Sequence, residues 1–162
     1  MRTNRIGFYP ASGRDYLEPM RILNGWVDQM VFCDIRTAPH GSALAELRNA
    51  VIQDGLPEPS FFLGDARFAI ECMQPVDLLL VWRDGDGEGG SALCLLRSEN
   101  IAKTLSMIKP GGLLVADRRC GGGWFDDFRD GRRSPYRVGG REIFLSDQQP
   151  WTEHQLLSFT VK

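Results

Sequence analysis

The sequence predicts an α/β protein: a doubly wound, mostly parallel seven-stranded sheet with an antiparallel C-terminal strand and helices on both faces. Three observations carry this reading. Short apolar runs alternate with amphipathic stretches from Ile6 to Asp117, the pattern of right-handed βαβ crossovers. One run, Val76 to Trp82, is almost continuously apolar, as expected of a central parallel strand covered on both faces. The chain then closes with two strand-like runs, Glu142 to Leu145 and Leu156 to Val161, joined by a loop short enough for an antiparallel pair.

The elements follow in order. Ile6 to Tyr9 reads as a buried strand that breaks into the small residues Pro10-Ala11-Ser12-Gly13. A helix from about Asp15 to Asn24 comes next, with Asp15 as N-cap, Glu18 completing a capping box, and Leu17, Met20 and Leu23 on one face. Pro19 falls in the first turn, where no intrahelical bond is lost, and Asn24-Gly25 supplies the stop. A second strand spans about Met30 to Ile35. Ser42 is expected to cap a helix that turns Leu44, Leu47 and Val51 inward and ends at Gly55. After Pro57-Glu58-Pro59, Phe61 to Leu63 forms a short third strand ending in Gly64-Asp65-Ala66, and a helical turn or two runs through Phe68 to Met73. The fourth strand stops at the acidic, glycine-rich stretch Arg83 to Gly90. A helix with Ile101, Leu105 and Ile108 on one side leads through Lys109-Pro110-Gly111-Gly112 into a fifth strand, Leu113 to Asp117. The segment from Arg118 to Tyr136 has little periodicity.

Composition narrows the class. With 162 residues, 43% hydrophobic and 25% charged, the chain reads as one globular domain, residues 1–162. A formal net charge of −2 argues against a general nucleic-acid or membrane-surface binder. No apolar run approaches the roughly 18 residues of a membrane span, so a cytoplasmic protein is expected. Cys33, Cys72, Cys94 and Cys120 show no C-x-x-C spacing and read as reduced, mostly buried thiols. His40 and His154 are isolated, which speaks against a histidine-based metal site.

The first turn carries the functional signal. A strand, a small-residue turn and a helix start present backbone N–H groups to a ligand. Asp34 closes the next apolar run, 21 residues past Gly13, where nucleotide-binding folds hydrogen-bond a ribose. Together they point to a nucleoside ligand held at the C-terminal ends of the strands. A nicotinamide dinucleotide fits less well, because the turn lacks G-x-G-x-x-G.

The order of these motifs resembles the class I S-adenosylmethionine-dependent methyltransferases, over nearly the whole chain. Tyr9, Pro10, Ala11, Ser12 and Gly13 stand where that family wraps the methionine part of its cofactor. Asp34, followed by Ile35, matches the acid that binds the ribose. Gly64, Asp65 and Ala66 match the turn whose acid meets the adenine amino group. Ile108-Lys109-Pro110-Gly111-Gly112-Leu113-Leu114-Val115 is similar to the family's hydrophobic-Lys-Pro-Gly-Gly stretch. The resemblance implies S-adenosylmethionine as cofactor, with Trp82 packing on the adenine or the substrate.

It also implies a methyl acceptor at the end of the fourth strand. Trp82-Arg83-Asp84-Gly85 lacks the Asn/Asp-Pro-Pro-aromatic motif of nucleic-acid amino-group methyltransferases. It is closer to the Asp-Gly-Asp of some small-molecule O-methyltransferases. Asp84 is therefore the expected base or orienter of a small-molecule or protein substrate, against the alternative of a loop acid without catalytic effect. A lid would come from Arg118 to Tyr136, from a second subunit in a homodimer, or not exist, and the arginines of that segment suit an anionic substrate or, on the alternative reading, a solvated loop. Asp84, Asp86 and Asp117 could ligate Mg²⁺, but Arg118 stands where a neutral oxygen would be needed, so no metal is expected. The alternative function is a non-catalytic methyltransferase-like domain that binds a nucleoside or a partner protein.

Overall fold

A computed structural model describes residues 4–82, 95–117 and 135–162. The chain divides into two compact units, one ending at Met73 and the other beginning at Gln74. The first holds β1 (Ile6–Pro10), α1 (Leu17–Ile22), β2 (Gln29–Asp34), α2 (Gly41–Asp54), β3 (Glu58–Leu63) and α3 (Ala66–Cys72). Its three strands are parallel, with β2 between β1 and β3. The second holds β4 (Val76–Val81), α4 (Ile101–Ser106), β5 (Ile108–Asp117), β6 (Tyr136–Val138), β7 (Arg141–Leu145), a 3-10 turn (Thr152–His154) and β8 (Leu156–Val161). There β4 and β5 are parallel, and β8, β7 and β6 follow in that order, each antiparallel to its neighbour.

The alternation of strand and helix, mostly parallel and then antiparallel at the C-terminal end, is as expected. The strand count is not: eight strands stand among the described residues where seven were expected. The addition is β6, and its cause is a Gly139-Gly140 turn. Val138 pairs with Arg141 across exactly these two residues, both at positive φ (58° and 75°). A two-residue hairpin turn of matching twist needs that geometry, which glycine adopts without steric cost. Arg137 and Glu142 face each other in the register and form an ion pair across the hairpin.

In the first unit, Phe8, Met20, Leu23, Met30 and Phe32 are fully buried, Phe8 on one face of the β1–β2 pair and Met30 and Phe32 on the other. Phe32 anchors an aromatic cluster, stacked on Phe61 at 5.8 Å and met edge-on by Tyr16 at 5.2 Å. Such geometry adds about 1 kcal/mol per pair beyond area burial. α1 starts later than expected. Its cap position is Tyr16, which makes no side-chain cap bond, because the Asp15 N–H is drawn back to the Ser12 carbonyl at 3.1 Å in a preceding turn. α2 likewise begins before Ser42, with His40 at the cap, and ends at Gly55 as expected. Leu47 and Val51 are buried and Leu44 is half-buried. β3 is longer than predicted and includes Pro59, which an edge strand tolerates because its missing N–H need not enter a ladder.

In the second unit β4 is buried almost throughout, as its composition demands. β5 departs most from expectation. Ile108 starts this strand rather than ending α4, and the Lys-Pro-Gly-Gly stretch lies within β5 as an irregularity. Val76 pairs with Ile108 and Leu78 with Leu113, so the ladder slips between the two pairs. Lys109 folds its ammonium onto both oxygens of Asp77, at 3.0 and 2.9 Å, and Gly111 takes φ +82°. A Cβ on Gly112 would stand 2.8 Å from the Asp77 carbonyl and 2.9 Å from that of Lys109. Backbone atoms cannot yield as a side chain does. Gly112→Ala should therefore lower stability by about 1–3 kcal/mol, read as a loss in urea midpoint, whereas Gly111→Asn should cost less because Asn tolerates the left-handed region.

Candidate functional site

The first unit gathers the predicted turn and the predicted acid. At the end of β1 the chain passes through Ala11 at φ +55° and Gly13 at φ +58°. Gly13 has open space where a Cβ would be, so its backbone angle, rather than crowding, calls for glycine. The Ser12 N–H donates to the Cys33 carbonyl at 2.9 Å, extending the β1–β2 ladder into the turn. The Gly13 N–H donates to Asp34 Oδ2 at 3.1 Å. The other carboxylate oxygen accepts the N–H of Arg36 at 2.8 Å and of Thr37 at 3.0 Å. The Asp34 carbonyl in turn accepts the N–H of Gly64 at 2.9 Å. One residue thus ties together the exits of all three strands.

The flanking residues differ in character. Tyr9 and Ser12 are buried, while Ile35, Leu63 and Phe68 are exposed at 63%, 62% and 63%. Leu63 is the register partner of Asp34, so an apolar rim lies beside the carboxylate at the ends of β2 and β3. Ala66 is buried in the first turn of α3. Asp65 caps that helix, its Oδ1 accepting the Arg67 N–H at 2.8 Å. The same carboxylate receives the Arg67 guanidinium, with Nε at 3.0 and 3.1 Å from its two oxygens. These bonds from Arg67 hold the Asp65 carboxyl below its usual pKa. The resemblance assigned Asp65 to an adenine amino group; in the described structure Arg67 occupies it.

Beneath the turn, Cys33 is fully buried and its thiol lies 3.3 Å from the Gly64 carbonyl, to which it donates. Burial first, then the carboxylates of Asp34 and Asp65, push the thiol up to about 11. Cys72, by contrast, is exposed, so the expectation of buried thiols holds for one of the two described cysteines. A cavity of about 1020 Å³ opens between the start of α1 and α2, lined by Arg14, Tyr16, Leu17, His40 and Leu47 among others. None of the predicted cofactor residues lines it.

In the second unit Trp82 follows β4 and is buried, with the His154 ring edge-on at 6.1 Å. His154 looked isolated in the sequence. It reaches Trp82 because β8 returns antiparallel to β5, pairing Leu156 with Asp117, a contact that no local spacing announces. Asp117 is fully buried. Asp84 and Asp86, the expected catalytic and metal-ligating acids, and Arg118 lie outside the described residues. Among the described residues no three His, Cys, Asp or Glu side chains cluster as a metal site would require. No helix there is long and apolar enough to cross a membrane.

The thiol gives a pH prediction. Because the folded state keeps Cys33 protonated to higher pH than the unfolded chain, its contribution is full below about pH 9 and declines as pH approaches 11. The loss is complete only above pH 11, at on the order of 3 kcal/mol, and about 2 kcal/mol of it falls between pH 8 and 10.5. Urea titrations at pH 8 and 10.5 should show it in the wild type and a clearly smaller alkaline loss in Cys33→Ala.

No protein-family model matches the chain, and no curated protein does. Solved structures do. A methyltransferase from Geobacter sulfurreducens aligns with 98% of this chain and 70% of its own, at 13% identity and a TM-score of 0.51. An O-methyltransferase family protein from Burkholderia thailandensis aligns with 98% of this chain and 50% of its own, at 12% identity and 0.51. A spermidine synthase in complex with the transition-state analogue AdoDATO aligns with 98% and 55%, at 14% and 0.51. The chain therefore spans about half the length of the last two. The likeness extends over nearly the whole chain, and the fold is the Rossmann-like α/β fold that these two methyltransferases and the spermidine synthase share.

Proposed function

We propose that this protein is an S-adenosylmethionine-dependent methyltransferase acting on a small molecule or a protein group. The observation that carries the reading is the bond from the Gly13 N–H to the Asp34 carboxylate, which makes the first turn and the second-strand acid one preorganised unit. A carboxylate has about four lone-pair positions, and backbone N–H groups take three of those on Asp34. The remaining one suits a ribose hydroxyl. Tyr9, Pro10, Ala11, Ser12 and Gly13 then bound the amino-acid end of the cofactor. Ile35 and Leu63 offer apolar surface to its base. The AdoDATO held by a protein of like fold supports an adenosine-type ligand.

When bound, the sulfonium supplies the methyl group. The chain's part is alignment, and where needed proton removal, by groups around the acceptor. Asp84 is our candidate for that role, and after β4 in the same unit the buried Trp82 meets the half-buried His154 ring edge-on.

Titration calorimetry with S-adenosylmethionine and S-adenosylhomocysteine tests the reading. Binding is expected, and the absence of heat from both at millimolar concentration would sink it. Asp34→Ala removes one charge-assisted bond to the sugar, worth about 1.5–3 kcal/mol, so affinity should drop about ten- to hundredfold. Asp84→Asn should leave affinity nearly intact and, on an identified acceptor, slow turnover about 10²-fold; an unchanged rate would remove Asp84 from the chemistry.

A further inference from the structure

We propose that the cavity between α1 and α2 is a second ligand site, one that takes a free α-amino acid with an apolar side chain. Its volume of about 1020 Å³ stands at the upper end of small-molecule sites, roughly 300–1,000 Å³. None of the residues assigned above to S-adenosylmethionine lines it, so the inference stands apart from the methyltransferase reading. One wall comes from the stretch 14–21, before and along α1. The other comes from the stretch 37–50, the connection after β2 and the N-terminal part of α2. Both carry apolar surface. Ala43, Leu47 and Ala50 recur at helical spacing on α2, with Leu47 buried, and Leu17 lines the cavity from α1.

The charges decide the ligand's class. Most of those in the cavity are already satisfied within the protein. Arg21 donates to Asp54 at 3.1 Å, His40 Nδ1 lies 3.3 Å from the Ala38 carbonyl, and Asp15 and Glu18 are engaged as well. Arg14 on one wall and Glu46 on the other are different. Both are exposed, and neither makes an ion pair or a hydrogen bond among the described residues. Opposite charges that line one cavity without meeting leave a gap that a zwitterion can bridge. An α-amino acid does so with its carboxylate on the planar guanidinium fork and its ammonium on the Glu46 carboxylate, a charge-assisted bond at each end. Its side chain then covers Leu17 and Leu47. A ligand with one charge leaves the ion on the other wall unmatched. Because both walls are wet, each bond is modest and the affinity is of millimolar order.

The experiment is an NMR titration of the full chain with L-phenylalanine, and with phenethylamine and 3-phenylpropionate, which lack its carboxylate and its ammonium respectively. The amino acid should shift the amides of Leu17, Leu47 and Ala50, and each analogue should bind about tenfold more weakly. Arg14→Ala should weaken L-phenylalanine about tenfold and leave phenethylamine unchanged; Glu46→Gln should weaken it likewise and leave 3-phenylpropionate unchanged. Thermal melts show that both surface variants keep the fold. L-Phenylalanine should still bind when S-adenosylhomocysteine is present. No shift of those amides at about 10 mM amino acid overturns the proposal, and so do analogues that bind as well as the amino acid or variants that leave its affinity unchanged. Competition with S-adenosylhomocysteine places the amino acid in the cofactor site and overturns the second one. A chain that binds L-phenylalanine here and no S-adenosylhomocysteine loses the methyltransferase reading and keeps this one.

Discussion

The first unit depends on a single carboxylate. Asp34 accepts three backbone N–H groups through its side chain and a fourth through its carbonyl, from the exits of β1, β2 and β3. Chain ends at strand exits otherwise carry unpaired donors, and a buried or half-buried donor without a partner costs about 1–3 kcal/mol. By serving several at once, Asp34 removes that cost from the place where the chain leaves all three strands. The arrangement also sets backbone geometry. Ala11, a residue with a Cβ, is held at φ +55°, a conformation that costs roughly 1 kcal/mol or more and persists where neighbouring bonds impose it.

Much of this was legible in the sequence because the relevant spacings are local or periodic. The alternating runs gave strands and helices, and the parallel pairing of β1, β2 and β3 followed from the crossovers between them. The turn at Pro10 to Gly13 and the acid at Asp34 were recognisable as a pair from separation alone. The misses have physical causes. β6 is three residues long, too short for an alternating pattern, although Gly139-Gly140 is a hairpin turn in plain sight. The Lys109 to Gly112 stretch looked like a turn because two glycines and a proline follow one another; in the structure it is the irregular start of a strand, stitched by Lys109 to Asp77.

Other features were invisible for a different reason. That Arg67 would fold onto Asp65 depends on rotamers at a helix start, which neighbouring letters permit without requiring. That His154 meets Trp82 depends on the return of β8 across β5, a long-range pairing. The expected caps, Asp15 at α1 and Ser42 at α2, failed for a third reason: the backbone of the preceding loop had already chosen where the helix begins, and cap propensity of about 1 kcal/mol does not outweigh that.

Pro59 has a consequence beyond its own strand. β3 pairs with β2 on one side, and its outer side would present a row of donors and acceptors to any other extended chain. An imide nitrogen interrupts that row, and Glu58 beside it places a charge at the same edge. Both are devices that discourage strand addition. The exposed side chains of Ile35, Leu63 and Phe68 can thus remain uncovered without inviting a second copy to extend the sheet at this edge, so exposed apolar surface does not become a route to fibrils.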